Sequence, residues 1–453
     1  MITLILTAIV AFLFAIGILV VFHEFGHFWV ARKLGVKVLR FSIGFGRKIW
    51  GWRGKDGTEY VICAIPLGGY VKMLDEREGE VKPEELHQAF NRKPVWARFA
   101  VVSAGPIFNF IFAILVYWMM FVVGTSGTLP IVGEIEPNSI ASQAGLLRGD
   151  EIVAVDQTQT RTWQQVIRQI MPRLGDKDIL RLDIKRENGN IKTLNLNLSQ
   201  WEINRENPDL LDSLGMEPFQ MPTPPIILDV MEDEPAGQAG LLPGDEILSI
   251  QGEPVTRWRA FIRIIEKNPN QPLTAVIKRQ GEEQTLTFAP RAQKGRKGDI
   301  IGYAGIQFKV PEITDQYKFV ERLDPFHAVF AAIHKTGEYI AISFKLIGKM
   351  VVGDVGLYNL SGPITIAQGA GLTAIVGLQY YLNFLALISI SLGVLNLLPI
   401  PILDGGHLMY YIVEMFTGRP VSDKVQIFAY KIGLILLIFL VSIAFYNDLV
   451  RML

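Results

Sequence analysis

Two histidines four positions apart, His23 and His27, enclose Glu24 in the run His23-Glu24-Phe25-Gly26-His27. On a helix this spacing puts both imidazoles on one face. Zinc accepts neutral imidazole nitrogen, so the pair supplies half of a tetrahedral site. Glu24, next to the first histidine, is placed to take a proton from an attacking water. The five residues alone are a weak signal, and the plain alternative is a polar cluster marking a helix end. Their context strengthens them. Met1 to Phe22 carries no charge, and about twenty apolar residues at 1.5 Å each cross a hydrocarbon core of ~30 Å. Ionisable groups at that depth are costly and mark function by default.

A third ligand must come from elsewhere. Near the far end the chain reads Asn396-Leu397-Leu398-Pro399-Ile400-Pro401-Ile402-Leu403-Asp404-Gly405-Gly406-His407. Two prolines break a helix there and free backbone groups that need partners or a water-filled cavity. Alone, Asp404 reads best as a helix N-cap. Span counting favours a ligand. With four spans the first helix ends inside with His23 and His27, the second returns outward, and the third brings Asp404 to the same inner side. A fifth span would strand Asp404 on the other side. His23, His27 and Asp404 then leave one position open, as a catalytic zinc needs. His407 is a competing or supporting group, whereas His87, His327 and His334 lie in polar stretches.

The elements that hold these residues follow from composition. The 453 residues are 50% hydrophobic and 19% charged, with 44 basic and 44 acidic residues, a balance that gives no pointer to nucleic acid. Cys63 is the only cysteine, which excludes an intrachain disulfide and a cysteine zinc site. Residues 1–31 read as a retained first transmembrane helix with the metal motif. Residues 32–98 are rich in Lys and Arg near both ends, which puts this loop in the cytoplasm. Within it, 41–72 reads as strands and turns forming a small sheet, the bland alternative being an ordinary hairpin. A second span, 99–123, holds Pro106 and Asn109, and Asn109 reads as a helix–helix hydrogen bond before a catalytic group. Residues 323–352 have helical apolar spacing broken by charge, an amphipathic surface helix with a fifth span as rival. The third span, 376–403, carries the Asp404 motif, and the fourth is 426–446.

Between spans two and three lies an internal repeat. Ala144-Gly145-Leu146-Leu147-Arg148-Gly149-Asp150-Glu151-Ile152 recurs as Ala239-Gly240-Leu241-Leu242-Pro243-Gly244-Asp245-Glu246-Ile247, and Trp163 and Trp258 share the offset. The two copies, 127–220 and 221–310, resemble PDZ domains, which bind extended peptides by strand addition. Passive spacers or steric screens are the alternative. The predicted fold is therefore a multi-pass α-helical membrane protein with four transmembrane helices, a small membrane-associated β-sheet and two inserted PDZ-like β/α domains.

His-Glu-x-x-His closing a first span, Gly-Pro-x-x-Asn in a second, a tandem PDZ insert and Asn-x-x-Pro-x-Pro-x-Leu-Asp-Gly-Gly near the carboxyl end together resemble the site-2 protease family, over essentially the whole chain. The resemblance implies a zinc (Zn2+) endopeptidase of the bacterial inner membrane. His23, His27 and Asp404 would bind the metal, and Glu24 would be the base. Asn396, Pro399 and Pro401 would hold the substrate backbone, and the sheet, at Tyr60, Val61 and Ile62, would pair with it. Implied partners are the lipid bilayer and single-span membrane proteins already trimmed outside, such as anti-sigma factors and remnant signal peptides, with release of a cytoplasmic fragment in an envelope stress response. The PDZ copies and both termini would be periplasmic, and the active site would face the cytoplasm. Two other classes remain: a membrane-anchored PDZ receptor with a non-catalytic metal site, and a transporter, for which the spans show no inverted repeat.

Overall fold

The computed structural model describes residues 2–202, 209–219, 225–294, 300–308 and 317–452. The expected boundary between the repeat copies at 220–221 and the end of the second at 310 lie outside the described residues. The chain divides into two compact units, Met1–Thr125 with Val320–Val450, and Ser126–Phe319. The main helices are α1 (Ile2–Lys33), α2 (Val95–Val123), α3 (Trp163–Ile170), α4 (Trp258–Lys267), α5 (Pro325–Val352), α6 (Pro363–Val376), α7 (Leu378–Leu397), α8 (Asp404–Thr417) and α9 (Asp423–Met452).

Four of these are long and apolar enough to cross a membrane among the described residues: Leu6–Lys33 of α1, then α2, α7 and Asp423–Val450 of α9. Pro94 precedes α2 and suits a helix start, while Pro106 inside α2 removes one ladder donor and frees the Val102 carbonyl. Val102 borders the cavity described below, where that carbonyl can meet water. Helices α1, α2, α5 and α7 share one core, built around Leu19, Tyr117, Ala332 and Leu385. The α1–α2 contact is close because small residues face it. A Cβ on Gly26 would stand 2.9 Å from the Phe108 ring and against the Ala104 carbonyl. Helix α9 is exposed along most of its apolar length. Near its end the buried Asp448 carboxylate accepts from the backbone N–H groups of Gly362, Ile364 and Thr365, capping α6.

After α1 come strands β1 (Val38–Arg53) and β2 (Glu59–Met73). Both are long, and they fold back on each other. Phe41 pairs with Val71 on one side and Tyr60 on the other, while Gly51 and Trp52 pair with Val61 and Tyr60. The segments therefore run in the order 69–73, 38–43, 59–63, 48–53. The 59–63 segment is internal, paired on both sides, and only 69–73 and 48–53 are edges. Ile49, Trp50 and Trp52 are exposed on the outer edge.

In the second unit the repeat is structural. Each copy has a four-stranded sheet of one order: Thr158–Gln159, Glu151–Val155, Ile179–Lys185, Ile191–Asn197 in the first, and Glu253–Pro254, Glu246–Ile250, Leu273–Arg279, Glu282–Phe288 in the second. The repeated Gly-Asp explains itself physically. Buried Asp150 and Asp245 each accept from the backbone N–H three residues earlier, at Leu147 and Leu242, both at 2.9 Å. Trp163 and Trp258 open equivalent helices, α3 and α4.

Candidate metal centre

Helix α1 delivers His23 and His27 one turn apart on a single face, both about nine-tenths buried. Asp404 arrives from the distant loop after α7. It is the first residue of α8, and the cap position falls to Leu403, which makes no side-chain capping bond. The tight loop before it rests on two glycines: a Cβ on Gly405 or Gly406 would run into the backbone of Leu397, Leu398, Ile400 and Pro401. With the cap role vacated, the Asp404 carboxylate faces the histidines. His23 Nε2 lies 3.2 Å and His27 Nε2 3.4 Å from Asp404 Oδ2, and the two Nε2 atoms are 3.2 Å apart.

These separations test whether zinc fits. A tetrahedron with bonds of about 2.05 Å has edges of about 3.35 Å, and the three separations of 3.2, 3.4 and 3.2 Å all lie close to that edge. The chemistry agrees. His27 Nδ1 is 2.9 Å from the Val101 carbonyl of α2, so its proton sits on Nδ1 and Nε2 presents a lone pair. Asp404 Oδ2 is buried without a well-formed hydrogen bond. The His27 lone pair and the buried carboxylate oxygen converge with the His23 ring on one point, an arrangement a cation resolves. Helix α2 also makes the room: a Cβ on Gly105 would stand 2.7 Å from His23 Cε1 and against the His27 ring.

Glu24 lines the same cavity as His27 and Asp404, a space of about 770 Å³ that is also bordered by Asp75, Arg77, Arg98 and Glu414. The Glu24 side chain reaches β2: its Cγ is 3.0 Å from where a Cβ on Gly69 would stand. Arg98 of α2 donates to Glu414 of α8 at 2.6 Å and lies over the Tyr411 ring at 5.1 Å. That pair ties the helix backing the histidines to the helix that begins with Asp404. Burial would raise the Asp75 carboxyl, but Arg77, donating to it at 2.6 Å, holds it below the usual carboxylate range. Burial pushes the His407 imidazole below its ordinary value against the pull of Asp404, and the Arg77 cation adds to it. It also borders the cavity.

The remaining expected site residues lie apart from this cavity lining. Asn396 is half-buried near the end of α7, Pro399 is exposed, and Pro401 packs against Gly433 of α9. Tyr60, Val61 and Ile62 occupy the internal segment of the sheet. Their backbone is already paired on both sides, so the free sheet edges lie elsewhere than at these three residues. The edge beside Glu24 is 69–73. Sequence reasoning missed Val101 and Glu414, and gave no site role to Gly105, which it read only within the Gly-Pro-x-x-Asn motif, or to Arg98, which it read only as a basic residue before the second span. It noticed Asn109, whose side chain proves to touch His23 at 3.0 Å.

Peptidase family M50 matches residues 11–440. The chain is 46% identical over 442 residues to the regulator of sigma-E protease RseP of Escherichia coli K12, covering 98% of each. It is 45% identical over 448 residues to protease RseP of Yersinia pestis, covering 99% of each. The regulator of sigma E protease of Haemophilus influenzae is 39% identical over 444 residues, with 98% of each covered. Among solved structures, the PDZ domain of an SdrC-like protein from Listeria monocytogenes aligns at 20% identity and TM-score 0.17, over 20% of this chain and 93% of that one.

Proposed function

Because the chain belongs to peptidase family M50, we propose that it is a zinc endopeptidase that cuts single-span membrane proteins within the bilayer. The observation that carries this is the convergence of His23, His27 and Asp404 at tetrahedral spacing, with Glu24 lining the same cavity. Zinc held by those three residues would polarise a peptide carbonyl and acidify water. Glu24 accepts the proton of the attacking water and returns it to the departing amine. The charged cavity gives that water a path through an otherwise apolar unit.

The scissile bond begins inside a helix, where its carbonyl is satisfied by the ladder. A substrate must unwind to be cut, and its freed backbone groups need new partners. The 69–73 edge of β2 supplies a row of them next to Glu24, so strand addition takes place there. Ile49, Trp50 and Trp52 on the opposite edge sit at the lipid interface, where aromatic side chains are favoured. The basic 32–98 loop faces the cytoplasm, the repeat copies and both termini face the periplasm, and the site opens inward. The substrate class is the membrane anti-sigma factor after a first outer cut, together with remnant signal peptides. Its cleavage releases a cytoplasmic fragment for envelope stress signalling.

Protein reconstituted in lipid with a single-span substrate tests the reading. Chelation should stop cleavage and zinc alone should restore it; cleavage that persists in metal-stripped protein would rule the reading out. The strand-addition step has its own check. In a Glu24→Gln, Cys63→Ala background, Tyr70→Cys or Met73→Cys should form disulfides with a cysteine near the substrate's cut site about tenfold faster than Val61→Cys. The reverse order would return substrate to the internal segment.

A further inference from the structure

Asn109 is fully buried in α2, and its side-chain amide lies 3.0 Å from His23 Nδ1. With the nitrogen of the amide toward the ring, Asn109 Oδ1 is left buried without a partner. An asparagine amide offers a neighbour either its oxygen or its nitrogen, by a half turn about Cβ–Cγ. The two orientations have opposite consequences for His23. An N–H aimed at Nδ1 makes Nδ1 the acceptor and puts the ring proton on Nε2, the atom that faces His27 and Asp404. An oxygen aimed at Nδ1 receives its proton and leaves Nε2 with a lone pair.

Only the second orientation makes His23 a metal ligand. The neighbouring histidine shows the same device already complete: the Val101 carbonyl, also on α2, holds the proton of His27 Nδ1. One helix thus places a backbone carbonyl and a side-chain amide against two rings one turn apart. The turn of α2 carrying Asn109 is itself fixed, because the buried Ser389 hydroxyl of α7 donates to the Asn109 backbone carbonyl at 2.8 Å.

We propose that Asn109 is a positioning residue: its side-chain oxygen accepts the His23 Nδ1 proton when metal is held, which fixes the imidazole in its ligating tautomer. This rests on the zinc reading above. Zinc affinity, measured on full-length protein by competition with a chelator, separates the two. Wild type without zinc affinity would sink the metal reading itself. Given that wild type binds, Asn109→Asp keeps an acceptor and should bind within about threefold of it. Asn109→Leu keeps the branching at Cγ, in a somewhat larger side chain, but removes the acceptor and should bind 10–100-fold more weakly, as variants lacking an outer-shell partner of a metal histidine do. Equal affinity of the Leu variant and wild type would overturn the assignment, as would an Asp variant as weak as Leu. Should Leu not fold, imidazole ¹⁵N spectra of zinc-loaded wild type decide. A protonated, hydrogen-bonded Nδ1 on His23 is expected, and zinc on Nδ1 with a proton on Nε2 would refute it.

Discussion

Glu24→Gln should abolish peptide cleavage while leaving zinc content and fold intact. The substitution keeps the shape of the side chain and removes only its basicity. Glu24 lines the cavity with His27 and Asp404 but is not one of the three converging ligands, so the donor set survives. What disappears is the acceptor for the water's proton. General base catalysis contributes about 10²–10⁴-fold, or roughly 3–5.5 kcal/mol of barrier, and turnover should fall by that much. The measurement is single-turnover cleavage of a reconstituted substrate with zinc assayed on the same sample. Activity within tenfold of wild type would remove Glu24 from the role of base. Loss of zinc alongside activity would instead make it a structural residue.

Asp404→Ala should empty the site. Only two imidazoles would remain, both on one turn of α1, and no other acidic group among the described residues completes a cluster with them. Zinc affinity should fall by more than the 10–100-fold that outer-shell partners control, and cleavage should vanish with it. Asp404→Asn separates charge from shape: a neutral amide in place of the anion should also bind zinc poorly, since the carboxylate supplies the only negative charge among the three ligands. Retained stoichiometric zinc in Asp404→Ala under chelator challenge would show that α8 does not contribute a ligand.

The two predictions differ in how legible they were. The Glu24 prediction rests on a local pattern, because i and i+4 share a face of any helix whatever surrounds it. The Asp404 prediction needs a topological argument over a separation of almost the whole chain, in which crossing number constrains which end of a span reaches which side; the structure brings Asp404 together with His23 and His27. The role of Asn109 was half visible. A buried polar group at membrane depth announces that it has a partner, but not which one.

The amino-acid sequence determined whatever periodicity and short spacing encode: four apolar spans, the two histidines on one face, the doubled Ala-Gly-Leu-x-x-Gly-Asp segment and the proline-broken loop before Asp404. Tertiary structure alone decided which backbone edges stay open. A strand-forming segment looks the same in sequence whether internal or at an edge, and only the doubled register of Phe41 with Val71 and Tyr60 buried the 59–63 backbone and exposed 69–73. It alone also chose the acceptors on α2, the cavity-making Gly105 and the Arg98–Glu414 tie. Those are contacts between residues far apart in the chain, and no local propensity records a contact that packing creates.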